Sequence, residues 1–304
     1  MTISRRGFAK TGLGAGALAI LGEDLFAQEE LRENIIPSSG ERIPVIGLGT
    51  NRYGVSNNPS AKAPLQHALK KFHELGGTVI DTAPGYRNSE EILGHLMSDL
   101  GIRNDLFIAT KVDRNNRAAS TQGMQNSYRD LQVKKTDLMQ VHNFKGWKDS
   151  IPLIREWKQQ GRIRYIGITT SFERQYELME QVMKDYDLDF IQINYSVANQ
   201  RVSSDRILPL AADRGMAVLI NRPFGGGGVF KKLADLAVPA WAEDFDCSSW
   251  AQFMLKYALS HPAVTATIPG MTKVHHVVDN MMAGKGRLPT QSERQRQEAF
   301  FDSL

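Results

Sequence analysis

From about residue 35 onward, short apolar and partly β-branched runs alternate with longer segments of helical period. The runs are VIGLGT (45–50), TVIDTA (78–83), LFIATK (106–111), DLMQVH (137–142), RYIGITT (164–170), DFIQINYS (189–196), AVLINRPF (217–224) and VTATIPG (264–270), and each predicts a strand. After the first, Leu65, Ala68, Leu69, Phe72 and Leu75 recur at the spacing of one helix face, and the Gly76–Gly77 pair stops that helix. SEEILGHLMSDL, IPLIREWKQQG, ERQYELMEQVMKDY and SSWAQFMLKYALSHP repeat the pattern between later runs. Eight strands alternating with eight helices imply an α/β fold, a closed parallel (β/α)8 TIM barrel. An open doubly wound sheet is the runner-up, but GLGTNR (47–52) does not supply the G-x-G-x-x-G that such a sheet carries between its first strand and helix. Before the first strand, IIPSSGERIPV (35–45) predicts an N-terminal β-hairpin with SSGE at its turn, placed to plug the barrel floor. Residues 225–247 form the longest connection without clear periodicity, where a functional loop is expected. The barrel domain is therefore read as residues 35–304.

The first residues read differently. SRRGFAK (4–10) is a paired-arginine basic region, and TGLGAGALAILG after it is too short to cross a bilayer as an ordinary transmembrane helix. Residues 1–27 are read as a twin-arginine signal peptide ending at Ala27, which implies the twin-arginine export machinery as a partner and a periplasmic or otherwise exported destination. Leu25 is not the small residue usual two positions before a cleavage site, so retention as a membrane tether is the alternative. The mature chain has no membrane span in this reading. Twin-arginine export carries folded proteins, which suits an enzyme that takes up a cofactor before it leaves the cytoplasm.

Composition narrows the classes. The 304 residues with 41% hydrophobic content suffice for a large core. The formal charge is +4; residues 1–27 carry Arg5, Arg6 and Lys10 against Glu23 and Asp24, so the remainder holds 4 − 1 = +3, without the concentrated basic run that nucleic acid would require. Cys247 is the only cysteine, which excludes an intramolecular disulfide and a cysteine-rich metal site. A metal-dependent barrel hydrolase would need several ligands at strand ends, yet His67, His73 and His95 fall in helices, His261 follows one, and His275 and His276 start another. Only His142 remains, and no metal is expected.

In parallel barrels the chemistry sits at the C-terminal ends of the strands. There the sequence places Asp81 with Tyr86 in the following loop, then Lys111, then His142. Singly each has a plain structural role: a loop cap, a rim aromatic, a solvated strand end, a satisfied core histidine. Jointly they carry more, because a lysine closing a buried apolar strand needs a partner to stay charged, and Asp81 ends the neighbouring strand. A tyrosine ionises at about 10 in the absence of perturbation, and a nearby ammonium lowers that value by stabilising the phenolate. Lys111 is expected to lower Tyr86, Asp81 to hold Lys111 protonated, and neutral His142 to orient a substrate carbonyl. The set suits carbonyl reduction and holds no reductant, so a hydride must come from a bound cofactor.

On these residues the chain resembles the aldo/keto reductase family. DTAPGYRNSEEILG (81–94) is similar to the family's second-strand motif, whose aspartate and tyrosine fall on Asp81 and Tyr86; FIATK carries its lysine and LMQVHN its histidine. The resemblance runs from about residue 35 to residue 300. It implies an eight-stranded barrel and reduction of a small-molecule aldehyde or ketone without a metal, with NADP as cofactor and NAD possible. Tyr86 is then the acid, supported by Asp81, Lys111 and His142.

The resemblance also implies a cofactor-binding set. It begins with Gly49, Thr50, Asn51 and Asp81. The family's fifth-strand serine and asparagine, which face the nicotinamide amide, correspond to Thr169 and Thr170, so the second group of the asparagine is lost. Gln192 matches the strand-six glutamine. On strand seven the set continues with Asn221 in place of a stacking aromatic, then Arg222, Pro223, Phe224 and Gly225. Arg222 either contacts the pyrophosphate or pairs with a rim carboxylate, and GGGG (225–228) either offers backbone N–H groups to phosphate or is an ordinary loop. IPGMTKVHHVVDN (268–280) is similar to the adenosine-phosphate segment, with Gly270, Met271, Thr272, His276, Asp279 and Asn280 at matching positions and a helix start that suits an anion. Many relatives carry lysine and arginine where Gly270 and His276 stand, so the case for NADP over NAD is narrow.

Two other readings share parts of this set. A Schiff-base aldolase would use Lys111 as nucleophile without needing Tyr86 or the phosphate segment. A nicotinamide-binding sensor would bind nucleotide with little turnover. Specificity in the family rests on loops that fall here at NRYGVSNNPS, NFKGWKD and 225–247, and Trp147, Trp241 and Trp250 are candidates either for the pocket wall or for packing. Outside the cytoplasm there is no obvious pool of reduced nicotinamide, so either the cofactor travels bound and is recycled in place by a second substrate, or residues 1–27 are not an export signal.

Overall fold

The computed structural model describes residues 30–304 apart from Gln200. The export signal read at residues 1–27 lies outside them. Among the described residues no helix is long and apolar enough to cross a membrane.

The fold opens with the hairpin. Strands β1 (Glu33–Ile35) and β2 (Arg42–Pro44) pair antiparallel, with Glu33 opposite Pro44. Ile36 N–H donates to the Glu41 carbonyl at 2.8 Å, and Gly40 (φ 77°) supplies the left-handed residue of the turn. Eight parallel strands follow: β3 (Leu48–Gly49), β4 (Val79–Asp81), β5 (Phe107–Val112), β6 (Thr136–His142), β7 (Ile163–Thr169), β8 (Phe190–Asn194), β9 (Ala217–Asn221) and β10 (Ala266–Thr267), each bonded to the next in sequence. Backbone bonds from Gly47 N–H to Thr267 O (2.8 Å) and from Gly49 N–H to Pro269 O (2.9 Å) join the first strand to the last and close the barrel. Gly49 permits this approach, since a β-carbon there would lie 2.6 Å from the Ile268 carbonyl oxygen.

The helices lie between the strands: α1 (Pro59–Glu74), α2 (Ser89–Leu100), α3 (Arg117–Asp130), α4 (Trp147–Gln159), α5 (Tyr176–Asp185), α6 (Ser203–Asp213), the short α7 (Val229–Lys232), α8 (Trp250–Leu259) and α9 (Val274–Met282), with α10 (Gln291–Asp302) at the end. The first shows why they form where they do. Asn58 Oδ1 accepts the Ala61 N–H at 2.9 Å, Pro59 occupies the first helical position, and Leu65, Ala68, Leu69 and Phe72 are buried along one face.

The barrel interior is filled from below. Ile36 and Ile43 of the hairpin pack with inward residues such as Val79, Phe107, Leu138 and Phe190. Burying each isoleucine contributes about 1.5–3 kcal/mol as an upper estimate. Asn34 Nδ2 donates to the carbonyls of Val264 and Thr265, and Tyr165 Oη donates to Ser39 Oγ at 2.7 Å, so both ends of the hairpin are tied to the barrel. The expected floor plug is therefore present.

The 225–247 connection holds α7 and a 3-10 turn at Ala240–Phe245, anchored by the buried Leu233, Ala242 and Phe245. The tryptophans take the packing role. Trp241 and Trp250 lie against Phe253, Trp250 Nε1 donates to the Leu236 carbonyl, and Trp147 meets Tyr186 edge-on. None lines the cavity described next.

Candidate active site

Strand register brings the ionisable groups together. Asp81, the last residue of β4, is paired with Gly49 of β3 and Ala109 of β5, so the inward Lys111 of β5 projects one step beyond it. Lys111 Nζ donates to Asp81 Oδ1 and to the Thr82 carbonyl, each at 2.7 Å. His142 closes β6. Tyr86 lies in the loop between β4 and α2, which is pinned on several sides: Tyr86 N–H donates to Ala83 O, Ser89 Oγ donates to Thr50 O at 2.9 Å, and Asn88 Nδ2 donates to Val55 O at 2.8 Å. Gly54 gives that loop room, since a β-carbon there would stand 2.7 Å from the Tyr86 carbonyl oxygen. Beneath the loop, Glu90 at the start of α2 accepts from Thr110 Oγ1 at 2.5 Å and Ser127 Oγ at 2.9 Å, strapping α2 to β5 and α3.

The four groups form one cluster. Lys111 Nζ is 5.4 Å from the centre of the Tyr86 ring, and the Tyr86 and His142 rings stand edge to face at 6.0 Å. Burial pulls the Lys111 ammonium down, but Asp81, Tyr86 and Glu90 together more than compensate, Asp81 foremost among them, and Lys111 is held above its ordinary value. Burial raises the Asp81 carboxyl and Lys111 opposes it; the shared proton stays on the lysine, where two oxygens accept from it. Burial likewise raises the Tyr86 phenol, and the ammonium beside it offsets this only in part. The expected net lowering of Tyr86 is thus not met, because desolvation of the phenolate exceeds the attraction of Lys111. Burial, with Lys111 and Lys145 adding to it, pushes His142 down to about 3, so the imidazole is neutral as expected.

A cavity of about 650 Å³ opens over this cluster. Besides the four, it is lined by Gly49, Thr50, Asn51, Thr169, Gln192, Asn221, Arg222, Pro223, Phe224, Gly270 and Thr272 from the cofactor set read in the sequence. Gln192 lies beside Asp81, whose carboxyl it helps to lower, and accepts from Gln140 Nε2 at 2.7 Å. Gln140 was not anticipated, although its position two residues before His142 puts it on the same inward face of β6. Asn143, Arg52, Ser171, Gly226, Gly227 and Ile268 also reach the wall.

Six residues of the set lie off that wall. The Thr170 hydroxyl donates to Gln175 Oε1 at 2.5 Å and accepts the Phe172 N–H, so it is committed within its own loop. Met271 is fully buried, with its carbonyl accepting from Tyr53 Oη. Gly225 precedes the two glycines that reach the cavity. His276, Asp279 and Asn280 are on α9; Asp279 accepts from Ser249 Oγ and Gln252 Nε2, His276 packs on His275, and Asn280 is buried.

The rim suits a ligand with an amide at one end and phosphates at the other. Asn221 Nδ2 donates to the Thr170 carbonyl, while its buried Oδ1 has no partner among the described residues and suits an amide N–H. Gly225, Gly226 and Gly227 all have positive φ, and Gly226 makes space for the Arg222 guanidinium, which lies 2.9 Å from where its β-carbon would stand. Among the described residues the N-cap Lys273 makes no side-chain bond to the first turn of α9, an arrangement that suits an anion there.

An enzyme of the parallel-barrel class, with groups for proton transfer gathered at the C-terminal mouth of the strands, is what fold and site together define. The particular family follows from comparison: residues 45–299 match the model of the Aldo/keto reductase family, and the chain belongs to it. It is 26% identical over 255 residues to the glyoxal reductase of Bacillus subtilis, covering 82% of this chain and 86% of that one. It is 25% identical over 260 residues to the methylglyoxal reductase YeaE of Escherichia coli, covering 82% and 89%. An aldo/keto reductase from Klebsiella pneumoniae, solved in complex with NADP and acetate, superposes with a TM-score of 0.75 at 22% identity, covering 89% of this chain and 96% of that one.

Proposed function

We propose that this protein reduces the carbonyl group of small aldehydes or ketones with a nicotinamide nucleotide, NADP in the first place and NAD as the alternative. The observation that carries this reading is the position of Lys111 Nζ, 2.7 Å from Asp81 and 5.4 Å from the Tyr86 ring centre, in a cavity shared with neutral His142. When bound, the nucleotide supplies the hydride. Tyr86 delivers the proton to the carbonyl oxygen. Its raised phenol is fully protonated near neutrality, and the alkoxide that forms on hydride addition is the stronger base. Lys111 stabilises the phenolate left behind, and Asp81 keeps Lys111 charged. His142, neutral, donates a hydrogen bond that orients the carbonyl. Thr169, Gln192 and Asn221 are placed to hold the nicotinamide amide, and Arg222, Thr272 and the start of α9 to hold phosphate.

The relatives named above as glyoxal and methylglyoxal reductases, and the NADP of the Klebsiella structure, support the reading. The test is to titrate NADPH and NADH while following nicotinamide fluorescence quenching, and to assay an aldehyde and ketone panel with the wild type and Tyr86→Phe. Nucleotide binding is expected in both, with turnover reduced about 10²–10⁴-fold in the variant. Binding without turnover in the wild type would point to a sensor, and absence of binding would remove the cofactor assignment. The twin-arginine reading of residues 1–27 adds export of the folded, nucleotide-loaded chain to the proposal. Joint Arg5→Lys and Arg6→Lys substitution should hold the protein in the cytoplasmic fraction; unchanged export would overturn that part.

A further inference from the structure

Gln140 is a buried amide within β6, at a position where an apolar side chain would pack without leaving polar atoms to satisfy. Its ladder partners are Lys111 of β5 and Gly167 of β7, so it stands on the same inward face as both. Gly167 puts no side chain between β6 and β8, and Gln140 reaches across it: Nε2 donates to Oε1 of Gln192 at 2.7 Å. Glycine is required there, since a β-carbon would lie 2.6 Å from the Phe190 carbonyl oxygen. Gln192 lines the cavity, whereas Gln140 stands behind that wall.

This contact orients the amide of Gln192. A carboxamide accepts at one end and donates at the other. With Oε1 engaged by Gln140, Nε2 is the end left for Asp81, and Gln192 does help to lower the Asp81 carboxyl, as an amide N–H would and an amide oxygen would not. Turned the other way, Gln192 would set its oxygen against a carboxylate that already depends on Lys111. Gln140 gains little for itself. Its Oε1 is buried with no partner among the described residues, which is a cost to the fold. An amide kept at that cost, for one bond to a residue of the cavity wall, serves the site rather than the core.

Resting on the reductase reading above, we propose that Gln140 is a positioning residue that fixes the Gln192 amide with its nitrogen toward Asp81, and so acts on the Asp81–Lys111 pair without touching substrate or nucleotide. The order of influence runs from Gln140 through Gln192 and Asp81 to Lys111, and from there to Tyr86. The other ionisable groups that act on the pair or feel it are Tyr86 in the loop after β4, Glu90 at the start of α2 and His142 at the end of β6. Loss of the Gln140 donor frees Gln192 to turn. The Asp81 carboxylate then loses one stabilising partner and takes up a proton at higher pH.

The test follows kcat against pH, with saturating NADPH and 2-oxopropanal, in the wild type, Gln140→Met, Gln192→Met and the double variant. Methionine keeps the length of glutamine and has no N–H to donate. In Gln140→Met the acid-side decline of kcat should begin about one pH unit higher, making kcat about tenfold lower at a given pH on that limb, roughly the worth of one hydrogen bond. The melting temperature should stay close to that of the wild type. Gln192→Met should show the same displacement, and adding Gln140→Met to it should move the limb no further, because Gln140 acts only through Gln192. An acid limb that is the same in the wild type and Gln140→Met would overturn the proposal, as would displacements that add in the double variant. A loss of kcat that is uniform across pH and accompanied by a lower melting temperature would show a merely structural role and overturn it too. NADPH binding by the wild type with no turnover of 2-oxopropanal or any other aldehyde or ketone would sink the reductase reading and this proposal with it. Should Gln140→Met fail to fold, Gln140→Leu carries the comparison.

Discussion

Lys111 Nζ stands 2.7 Å from Asp81 Oδ1 with the two side chains only 1% and 3% exposed, so each charge depends on the other to remain inside the barrel. Removing one partner leaves an uncompensated buried charge, a loss of about 3–5 kcal/mol. Lys111→Met should therefore unfold in urea at a clearly lower midpoint than the wild type. The double variant Lys111→Met with Asp81→Leu should recover part of the loss, because it buries no lone charge. A double variant less stable than the single one would contradict this account.

His142 should leave a mark on stability at low pH. The unfolded chain binds its proton near 6.5, while the folded state, with burial foremost and Lys111 and Lys145 behind it, resists protonation until about 3. The contribution is complete above 6.5 and drains away as pH falls toward 3. His142→Gln removes the titration, so its urea midpoint should drop less than that of the wild type between about pH 7 and about pH 4.5. Parallel profiles would show that the histidine is not protected in this way.

Glu90 titrates in the opposite sense. Burial raises its carboxyl from 4.5 to about 7, against the lowering effect of the Thr110 and Ser127 hydroxyls. The folded state keeps a proton that the unfolded chain gives up above 4.5, so this contribution is full below 4.5 and is lost as pH rises through about 7. Glu90→Gln, of the same shape and always neutral, should gain on the wild type across that window by up to roughly 1.4 kcal/mol per pH unit. Denaturation curves near the two ends of the window decide it; a variant that loses ground toward alkaline pH would refute the assignment.

Gly94 sits inside α2, where alanine would ordinarily raise helix stability by about 1 kcal/mol. Here a β-carbon would lie 2.2 Å from the Asp130 carbonyl oxygen, at the C-terminal end of α3. Steric conflict with backbone, which cannot swing aside, should outweigh the propensity gain, and Gly94→Ala is expected to destabilise by roughly 1–3 kcal/mol. A thermal midpoint equal to or above that of the wild type would show that the two helices have slack at their crossing.

The strands and the ionisable cluster were legible for related reasons. Continuous apolar runs announce barrel strands, and an acid, a lysine and a histidine closing three of them announce a shared mouth. Other features depend on geometry that a sequence does not carry. VTATIPG reads as one strand, but the ladder shrinks to Ala266–Thr267 before Pro269, which has no N–H to give. Thr170 looks like an amide ligand until its hydroxyl is found engaged with Gln175 five residues on. Lys111 beside Tyr86 correctly suggests attraction, but the direction of the net shift depends on how deeply the phenol is buried. The turn at Asn143 and Phe144 gave no warning either, since only the first is a residue that readily accepts positive φ.

With Ile36 and Ile43 stoppering the barrel from below, its interior is a blind well rather than a conduit. Under the proposed chemistry, everything the enzyme consumes and releases must queue at one doorway. Whichever reagent settles deeper has to arrive before the other and depart after it, and its escape places a ceiling on throughput that no improvement of the proton donor would lift.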